Sequence, residues 1–381
     1  MTNKKTPAVL VLGDGTTFPG YAFGAEGEVL GEAVFTTAMT GYQETMTDPS
    51  YHRQIVVMTA PQIGNTGWND EDDESRNKQI WVAGLVIRDL AKRVSSWRAD
   101  RSLEEEMANQ GIIGIRGVDT RTVVRHLRSR GSIAAGLFSG EAARDDVDTL
   151  VAKVNAQPDM AGADLAGEVT TAQPYTVEPR GEKGFTVVAY DMGIKTATPR
   201  HFADRGIETI VVPANTPFEK VAEYKPDGVF ISNGPGDPAT ADEMVAATRE
   251  VIRHEIPLFG ICFGNQILGR ALGMETYKLK FGHRGVNVPV KNHLTGKIDI
   301  TSQNHGFALK GKAGETFDTE FGPAVVTHTC LNDDVVEGVA LENGMAYSVQ
   351  YHPESAAGPH DANPLFEQFI ELMTTHSPNN K

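Results

Sequence analysis

Pro257-Leu258-Phe259-Gly260-Ile261-Cys262-Phe263-Gly264-Asn265-Gln266 decides how this chain is read. Residues 257–261 are an apolar run of strand length, and residues 265–272 follow a helical pattern. A cysteine sits between them, with Gly260 two residues before it and Gly264 two after. This is the cysteine form of the G-x-S-x-G nucleophile elbow, a sharp strand-to-helix turn. The turn brings its flanking residues too close together for side chains, hence the glycines. It projects the sulfur from the carboxyl edge of a sheet, where open α/β sheets place their ligands. The helix N-terminus that follows favours a thiolate and offers the Phe263 amide to a developing oxyanion. The alternative is a buried structural cysteine beside two packing glycines.

A cysteine nucleophile needs a base, and the base needs an acid to orient it. Ala346-Tyr347-Ser348-Val349-Gln350-Tyr351-His352-Pro353-Glu354 offers both at the end of an apolar strand. In extended chain, residues two apart point to the same side. Pro353 favours an extended conformation for His352. Glu354 can therefore hold the imidazole, as the acid does in other triads. The chain has 11 histidines, so His-x-Glu alone is equally a strand-end histidine with an acid nearby; the elbow gives it weight. A third segment, Ser232-Asn233-Gly234-Pro235-Gly236-Asp237-Pro238, is rich in turn formers and directly follows an apolar strand. Beside the elbow, Gly234 would supply a second oxyanion amide; elsewhere the segment is a plain surface turn.

Working outward, apolar strands near 185–190, 207–212, 228–232 and 257–261 alternate with helices near 198–205, 216–224, 241–254 and 265–272. That alternation indicates a parallel sheet covered on both faces. Residues 276–350 are richer in strands and turns. Asn363-Pro364 opens a closing helix, Asn363 as its cap, with Leu365, Phe366, Phe369, Ile370 and Met373 on its apolar face. Upstream, Pro158, Pro174, Pro179 and several glycines break residues 155–184 into a connection. Residues 8–135 mix strands with a few helices. A hairpin turns at Asp14-Gly15, strands lie near 33–37 and 54–59, and a helix spans 119–130 with Asp119 as cap and Gly131 just past its end. The expected fold class is α/β: a C-terminal open, mostly parallel sheet covered by helices and carrying the cysteine elbow, plus a mixed α/β N-terminal domain. The expected boundary divides residues 1–183 from residues 184–381.

Composition agrees with two domains, since 381 residues at about 150 each give two or three. Acids outnumber bases 50 to 35, and a net charge of −15 makes a poor binder of nucleic acid or anionic membrane. No apolar run reaches the ~18 residues of a membrane span. The run at 8–12, behind Lys4 and Lys5, is too short for a signal peptide, so the expected compartment is the cytoplasm. The only cysteines are Cys262 and Cys330, which excludes a disulfide scaffold and a cysteine-rich zinc site. Cys330 lacks an elbow and is expected to be inert. The five acids at 70–74 read as a solvated loop.

Together the three segments resemble the class I, triad-type glutamine amidotransferase family. Residues 260–266 are similar to its nucleophile motif, His352-Pro353-Glu354 to its base and orienter, and residues 232–238 to its oxyanion loop. Many members have histidine where this chain has Asn265, a departure that bears on pocket polarity or thiol reactivity and leaves the triad intact. Lys280-Phe281-Gly282-His283-Arg284-Gly285 and Gln303-Asn304-His305-Gly306-Phe307 narrow the resemblance to the carbamoyl-phosphate synthetase small-chain family. So do Met39-Thr40-Gly41-Tyr42-Gln43-Glu44, Thr47-Asp48-Pro49-Ser50-Tyr51, Ile63-Gly64-Asn65 and Gly117-Val118-Asp119-Thr120-Arg121 in the first half. Asp191-Met192-Gly193-Ile194-Lys195 also fits.

The resemblance implies a glutaminase subunit that passes ammonia to a large synthetase subunit, which makes carbamoyl phosphate from bicarbonate and ATP for pyrimidine and arginine biosynthesis. It implies Cys262, His352 and Glu354 as catalytic residues. The L-glutamine site would be Ser50, Gly234, Gly236, Phe263, Gln266, Asn304, Gly306 and Phe307, with Ser50 contributed by the N-terminal domain. No cofactor or metal is expected in this chain; ATP and magnesium belong to the large subunit, with which it would form a heterodimer or higher oligomers of one. Three rivals stand against this. Another amidotransferase of the family would lack the motifs of residues 39–51 and 117–121. A catalytically silent subunit should have lost one of the three triad residues. A stand-alone cysteine hydrolase would need no synthetase.

Overall fold

The computed structural model describes residues 6–380; residues 1–5, including Lys4 and Lys5, and residue 381 lie outside the described residues. The chain divides into two compact units. Unit 1 is Met1–Met160 with Lys280–Arg284, and unit 2 is Ala161–Leu279 with Gly285–Lys381.

Seven strands of unit 1 form its main sheet. They are β1 (Pro7–Leu12), β2 (Thr17–Gly24), β3 (Glu28–Thr36), β4 (Gln54–Met58), β5 (Gly84–Val86), β6 (Ile113–Arg116) and β7 (Ile133–Ser139). They close into a barrel in the order β1-β2-β6-β5-β4-β3-β7, which leaves no sheet edge to protect. The β1–β2 hairpin turns at Asp14-Gly15, pairing Val11 with Thr17. Helix α1 (Tyr42–Thr47) precedes a short 3-10 turn, Pro49–Tyr51. Helix α2 (Thr120–Arg130) begins where Asp119 accepts from Thr122 N at 3.2 Å and stops at Gly131. Val123 and Leu127 on its inner face join Leu10, Phe35 and Ile55 in one core.

Unit 2 carries an 11-stranded mixed sheet. Its strands are β8 (Tyr175–Val177), β9 (Phe185–Asp191), β10 (Ile207–Pro213), β11 (Gly228–Ile231), β12 (Leu258–Ile261), β13 (Thr276–Asn292), β14 (Ile298–Leu309), β15 (Thr316–Thr319), β16 (Gly322–Cys330), β17 (Val336–Leu341) and β18 (Ala346–Val349). The spatial order is β8-β10-β9-β11-β12-β18-β17-β14-β13-β16-β15. Strands β10, β9, β11, β12 and β18 run parallel, and antiparallel strands extend both ends. The longer helices are α3 (Ala197–Ala203), α4 (Phe218–Glu223), α5 (Asp242–Arg253), α6 (Phe263–Ala271) and α7 (Leu365–His376).

Alternation along the central strands builds two cores. Val188, Tyr190 and Ile231 pack with Val251 of α5 and Ile267 of α6. Val187, Phe230 and Phe259 pack on the other face with Phe202 of α3 and Phe369 of α7. Adjacent residues face opposite sides of a strand, so a strand buried on both faces is apolar along its length, as β11, β12 and residues 187–190 of β9 are.

Two expectations change. Residues 161–183, assigned by composition to the first domain, belong to unit 2, and residues 280–284, assigned to the second, belong to unit 1. Strand β8 adds to its sheet edge, Asp237 N donates to Ala163 O (2.9 Å), and Thr171 N donates to the Asp191 carboxylate (2.8 Å). Asn363 does not cap α7 with its side chain; its Oδ1 accepts from Arg205 (2.8 Å) instead. Among the described residues, no helix is long and apolar enough to cross a membrane.

Candidate active site

The three sequence segments meet because three parallel strands are neighbours. Ile231 of β11 pairs with Gly260 of β12, and Ile261 of β12 pairs with Val349 of β18. Their carboxyl ends therefore lie side by side. The turn-rich segment leaves β11, the cysteine ends β12, and the histidine follows β18.

Cys262 has φ 56° and ψ −99°, a conformation that L residues rarely adopt, between β12 and the first residue of α6. The cost of such backbone, of order 1–3 kcal/mol, is typical of functional turns. Its amide donates to Val349 O at 2.8 Å, tying the elbow to the strand that carries the histidine. The elbow glycines have steric causes. A Cβ on Gly264 would stand 2.2 Å from Ile231 O, and one on Gly260 would stand 2.7 Å from Gly264 O. The Gly264 amide donates to Ser232 O (3.1 Å) and that of Asn265 to Cys262 O (3.1 Å). The thiol is buried and points toward Asn304 O, 3.6 Å away.

His352 and Glu354 are both buried. His352 Nδ1 lies 2.7 Å from Glu354 Oε1. Nε2 takes no hydrogen-bond partner among the described residues, and the Cys262 sulfur acts on the imidazole electrostatically. Burial alone would depress the imidazole. The Glu354 carboxylate and the Cys262 sulfur outweigh it and lift His352 to about 10. Burial would likewise raise Glu354, but His352 and the Lys195 ammonium hold it down at about 2. Lys195 Nζ lies 3.6 Å from Glu354 Oε1, and both side chains are buried. The charges are thus arranged as a buried carboxylate between two cations, His352 and Lys195. The backbone of this segment is also held: His352 N donates to Ser302 O (2.9 Å), and His201 Nε2 sits 3.3 Å from Glu354 O.

Of the expected glutamine-binding residues, Gly234 and Gly236 lie in the loop after β11. A Cβ on Gly234 would meet Met192 O at 2.1 Å, so only glycine fits that close approach. Phe263 and Gln266 lie in the first turn of α6, and Asn304, Gly306 and Phe307 lie on β14. Gln266 Nε2 donates to Phe307 O at 2.8 Å, which joins α6 to β14. Ser50 belongs to unit 1, buried in the 3-10 turn with its amide on Asp48 Oδ1 (2.9 Å).

Lys195 is a site residue that sequence reasoning misses: the motif of residues 191–195 contains it but assigns it no role. The available signal is its position, because that motif leaves β9, the strand next to β11, at the same sheet edge. Asn265 also finds its reason. Its Nδ2 donates to Gln350 Oε1 (3.2 Å) and its Oδ1 accepts from Ser348 Oγ (2.9 Å). A neutral histidine likewise offers one donor and one acceptor, so either residue meets that pair of demands.

Comparison with known proteins identifies the family to which the chain is similar. The family description "Carbamoyl-phosphate synthase small chain, CPSase domain" matches residues 10–137, and "Glutamine amidotransferase class-I" matches residues 188–372. The carbamoyl phosphate synthase small chain of Corynebacterium diphtheriae is 74% identical over 369 residues, 97% of this chain and 97% of its own. That of Mycobacterium tuberculosis is 67% identical over 369 residues, covering 96% and 98%. Among solved structures, a glutamine amidotransferase from Thermotoga maritima matches 50% of this chain and 83% of its own, at 17% identity and TM-score 0.36. With identity this high to the two small chains, over nearly their whole length, the chain belongs to the carbamoyl phosphate synthase small-chain family and carries a class I glutamine amidotransferase domain.

Proposed function

We propose that Cys262, His352 and Glu354 hydrolyse L-glutamine by way of a thioester. The observation that carries this is the buried Cys262–His352–Glu354 array at the carboxyl edge of three adjoining parallel strands. The chain is the glutamine-hydrolysing subunit of a carbamoyl phosphate synthase, and a large synthetase chain is its partner.

The steps follow from the charges. The Cys262 sulfur, as thiolate, attacks the side-chain carbonyl carbon of glutamine, forming a C–S bond. The oxyanion is held by amides of Phe263 and Gly234. Phe263 is the elbow donor, because the Gly264 and Asn265 amides are committed to Ser232 and Cys262. The His352 imidazolium gives its proton to the departing nitrogen, the C–N bond breaks, and ammonia leaves. Neutral His352 then takes a proton from water, hydroxide attacks the thioester, and the C–S bond breaks to give glutamate. Thiolate and imidazolium are thereby restored. Glu354 stabilises the imidazolium throughout.

Ser50, Gly234, Gly236, Phe263, Gln266, Asn304, Gly306 and Phe307 are assigned to glutamine binding. The chain works in the cytoplasm with the large chain as a heterodimer or an oligomer of heterodimers, supplying pyrimidine and arginine biosynthesis. ATP and magnesium are assigned to the large chain, since hydrolysis of an amide through a thioester needs neither.

The test pairs the purified chain with its large chain and measures glutamine hydrolysis together with carbamoyl phosphate formation from bicarbonate and ATP. Cys262→Ser should abolish the glutamine-dependent reaction and spare synthesis from added ammonia. Full glutamine hydrolysis by that variant would end the assignment.

A further inference from the structure

Four buried polar side chains lie behind the elbow: Asn265, Gln266, Ser348 and Gln350. Gln350 follows β18 directly and precedes His352 by two residues. Its Oε1 accepts two amides, from Asn265 Nδ2 at 3.2 Å and from Gln266 Nε2 at 3.1 Å. Its own backbone amide is fixed on Glu337 O at 2.8 Å.

The orientation of every amide in this group is determined by one atom. Phe307 O is a backbone carbonyl and can only accept, so Gln266 must turn its nitrogen toward it (2.8 Å). The second hydrogen of that nitrogen meets Gln350, which must therefore present its oxygen. Asn265, facing the same oxygen, must present its nitrogen, and its own oxygen then accepts from Ser348 Oγ (2.9 Å). Reversing Gln266 or Gln350 alone would set like atoms against each other at two contacts, and reversing Asn265 alone at one. Both amide hydrogens of Gln266 are thus used inside the protein, and the only capacity left on its side chain is that of an acceptor.

We propose that Gln350 is a positioning residue for glutamine: by accepting from Gln266 and Asn265 it locks Gln266 as a pure acceptor toward the substrate and ties the nucleophile helix to the strand that carries His352. The proposal rests on the assignment of Gln266 to glutamine binding. Gln350 does not touch the reacting atoms, so its loss should act on substrate affinity more than on turnover.

The experiment uses the complex with the large chain and reads KM and kcat for glutamine, with ammonia-dependent synthesis as a check on assembly. Gln350→Leu removes the shared acceptor and should raise KM roughly tenfold, the worth of one good buried hydrogen bond, with kcat changed by less than about threefold. Gln350→Glu keeps an acceptor oxygen in either protonation state and should hold KM within about threefold of the parent. In the double variant with Gln266→Leu, KM should rise no further than in Gln266→Leu alone, because Gln350 acts through that residue.

Additive KM effects, or an unchanged KM in Gln350→Leu while Gln266→Leu raises it, would overturn the role of Gln350 alone. An unchanged KM in Gln266→Leu would remove the glutamine-binding assignment and this inference with it. Where Gln350→Leu does not fold, a KM for Gln350→Glu raised tenfold or more is itself sufficient to reject the proposal.

Discussion

Unit 2 contains two buried cysteines, each with a buried histidine for company, and their chemistry is opposite. Cys330 lies two residues after His328 on β16. Burial pushes its thiol up to about 12 and pushes His328 down to about 4. Around Cys262, burial acts in the same direction on His352, yet that imidazole is lifted to about 10. The difference is a carboxylate. Glu354 sits 2.7 Å from His352 Nδ1 and is itself held ionised by His352 and Lys195. The corresponding nitrogen of His328 lies 2.8 Å from the neutral Thr327 hydroxyl. Glu337, the acid that acts on His328, accepts from Gln303 (2.8 Å). Burial alone makes a thiol inert; a buried charge pair beside it is what makes a nucleophile.

The largest test of this contrast exchanges the sulfurs. Cys262→Ser should lower glutamine hydrolysis by on the order of 10⁴-fold or more. Cys330→Ala should leave it within about twofold, since nothing in the reaction uses that thiol. A comparable loss from both would mean that the two sites do not differ as argued.

Removing the carboxylate should make the first site behave like the second. Glu354→Gln should cost about 10⁴-fold in kcat, as loss of a triad acid does elsewhere. The His352 titration followed by NMR should fall from about 10 toward the ordinary 6.5 of histidine, because the carboxylate that does most to outweigh burial is gone. The same change has a stability signature. His352 is raised in the folded state, so its contribution is complete below about pH 6.5 and is lost as pH rises toward about 10. Glu354 is lowered, so its contribution is complete above about pH 4.5 and is lost as pH falls toward about 2. Denaturant unfolding across pH should show both slopes in the parent and neither in Glu354→Gln.

A smaller effect is expected from Lys195→Met. Glu354 keeps its closer partner, so the loss should lie near the lower end of that for breaking a buried ion pair, about 3 kcal/mol, with Glu354 titrating higher. Unfolding free energy and the carboxyl titration measure both. The smallest effect belongs to Asn265→His, which should change kcat and KM by less than about threefold, as a neutral imidazole can serve both Gln350 and Ser348.

The parts of the site that are legible in the sequence are those whose logic is local. The elbow is readable because strand, turn and helix are contiguous at residues 257–266, and the glycine requirement arises within that turn. His352 and Glu354 are readable as a pair because they stand only two residues apart, although Pro353 and Glu354 form a turn closed by Ser355 N on His352 O (3.2 Å) where extended chain is expected. The α2 helix is readable because Asp119 and Gly131 bound it. Residues 161–183 are misplaced for the converse reason: proline and glycine mark an irregular backbone but carry no information about which unit it packs on. Asn363 has the composition of a cap, and Arg205 claims its side chain instead.

The chemical class is therefore written in the chain itself: a cysteine on a strand-to-helix turn, a histidine with an acid two residues on, and alternating strands and helices that demand a covered parallel sheet. Folding adds that β11, β12 and β18 are neighbours, and so that Cys262 meets His352 at all. Folding likewise brings Lys195 to Glu354, lets Gln350 serve both Asn265 and Gln266, and closes the strands of unit 1 into a barrel. The physical reason is the same in each case. Periodicity and turn chemistry act over a few residues, whereas strand order and cross-strand contact are settled by burying the whole apolar surface at once.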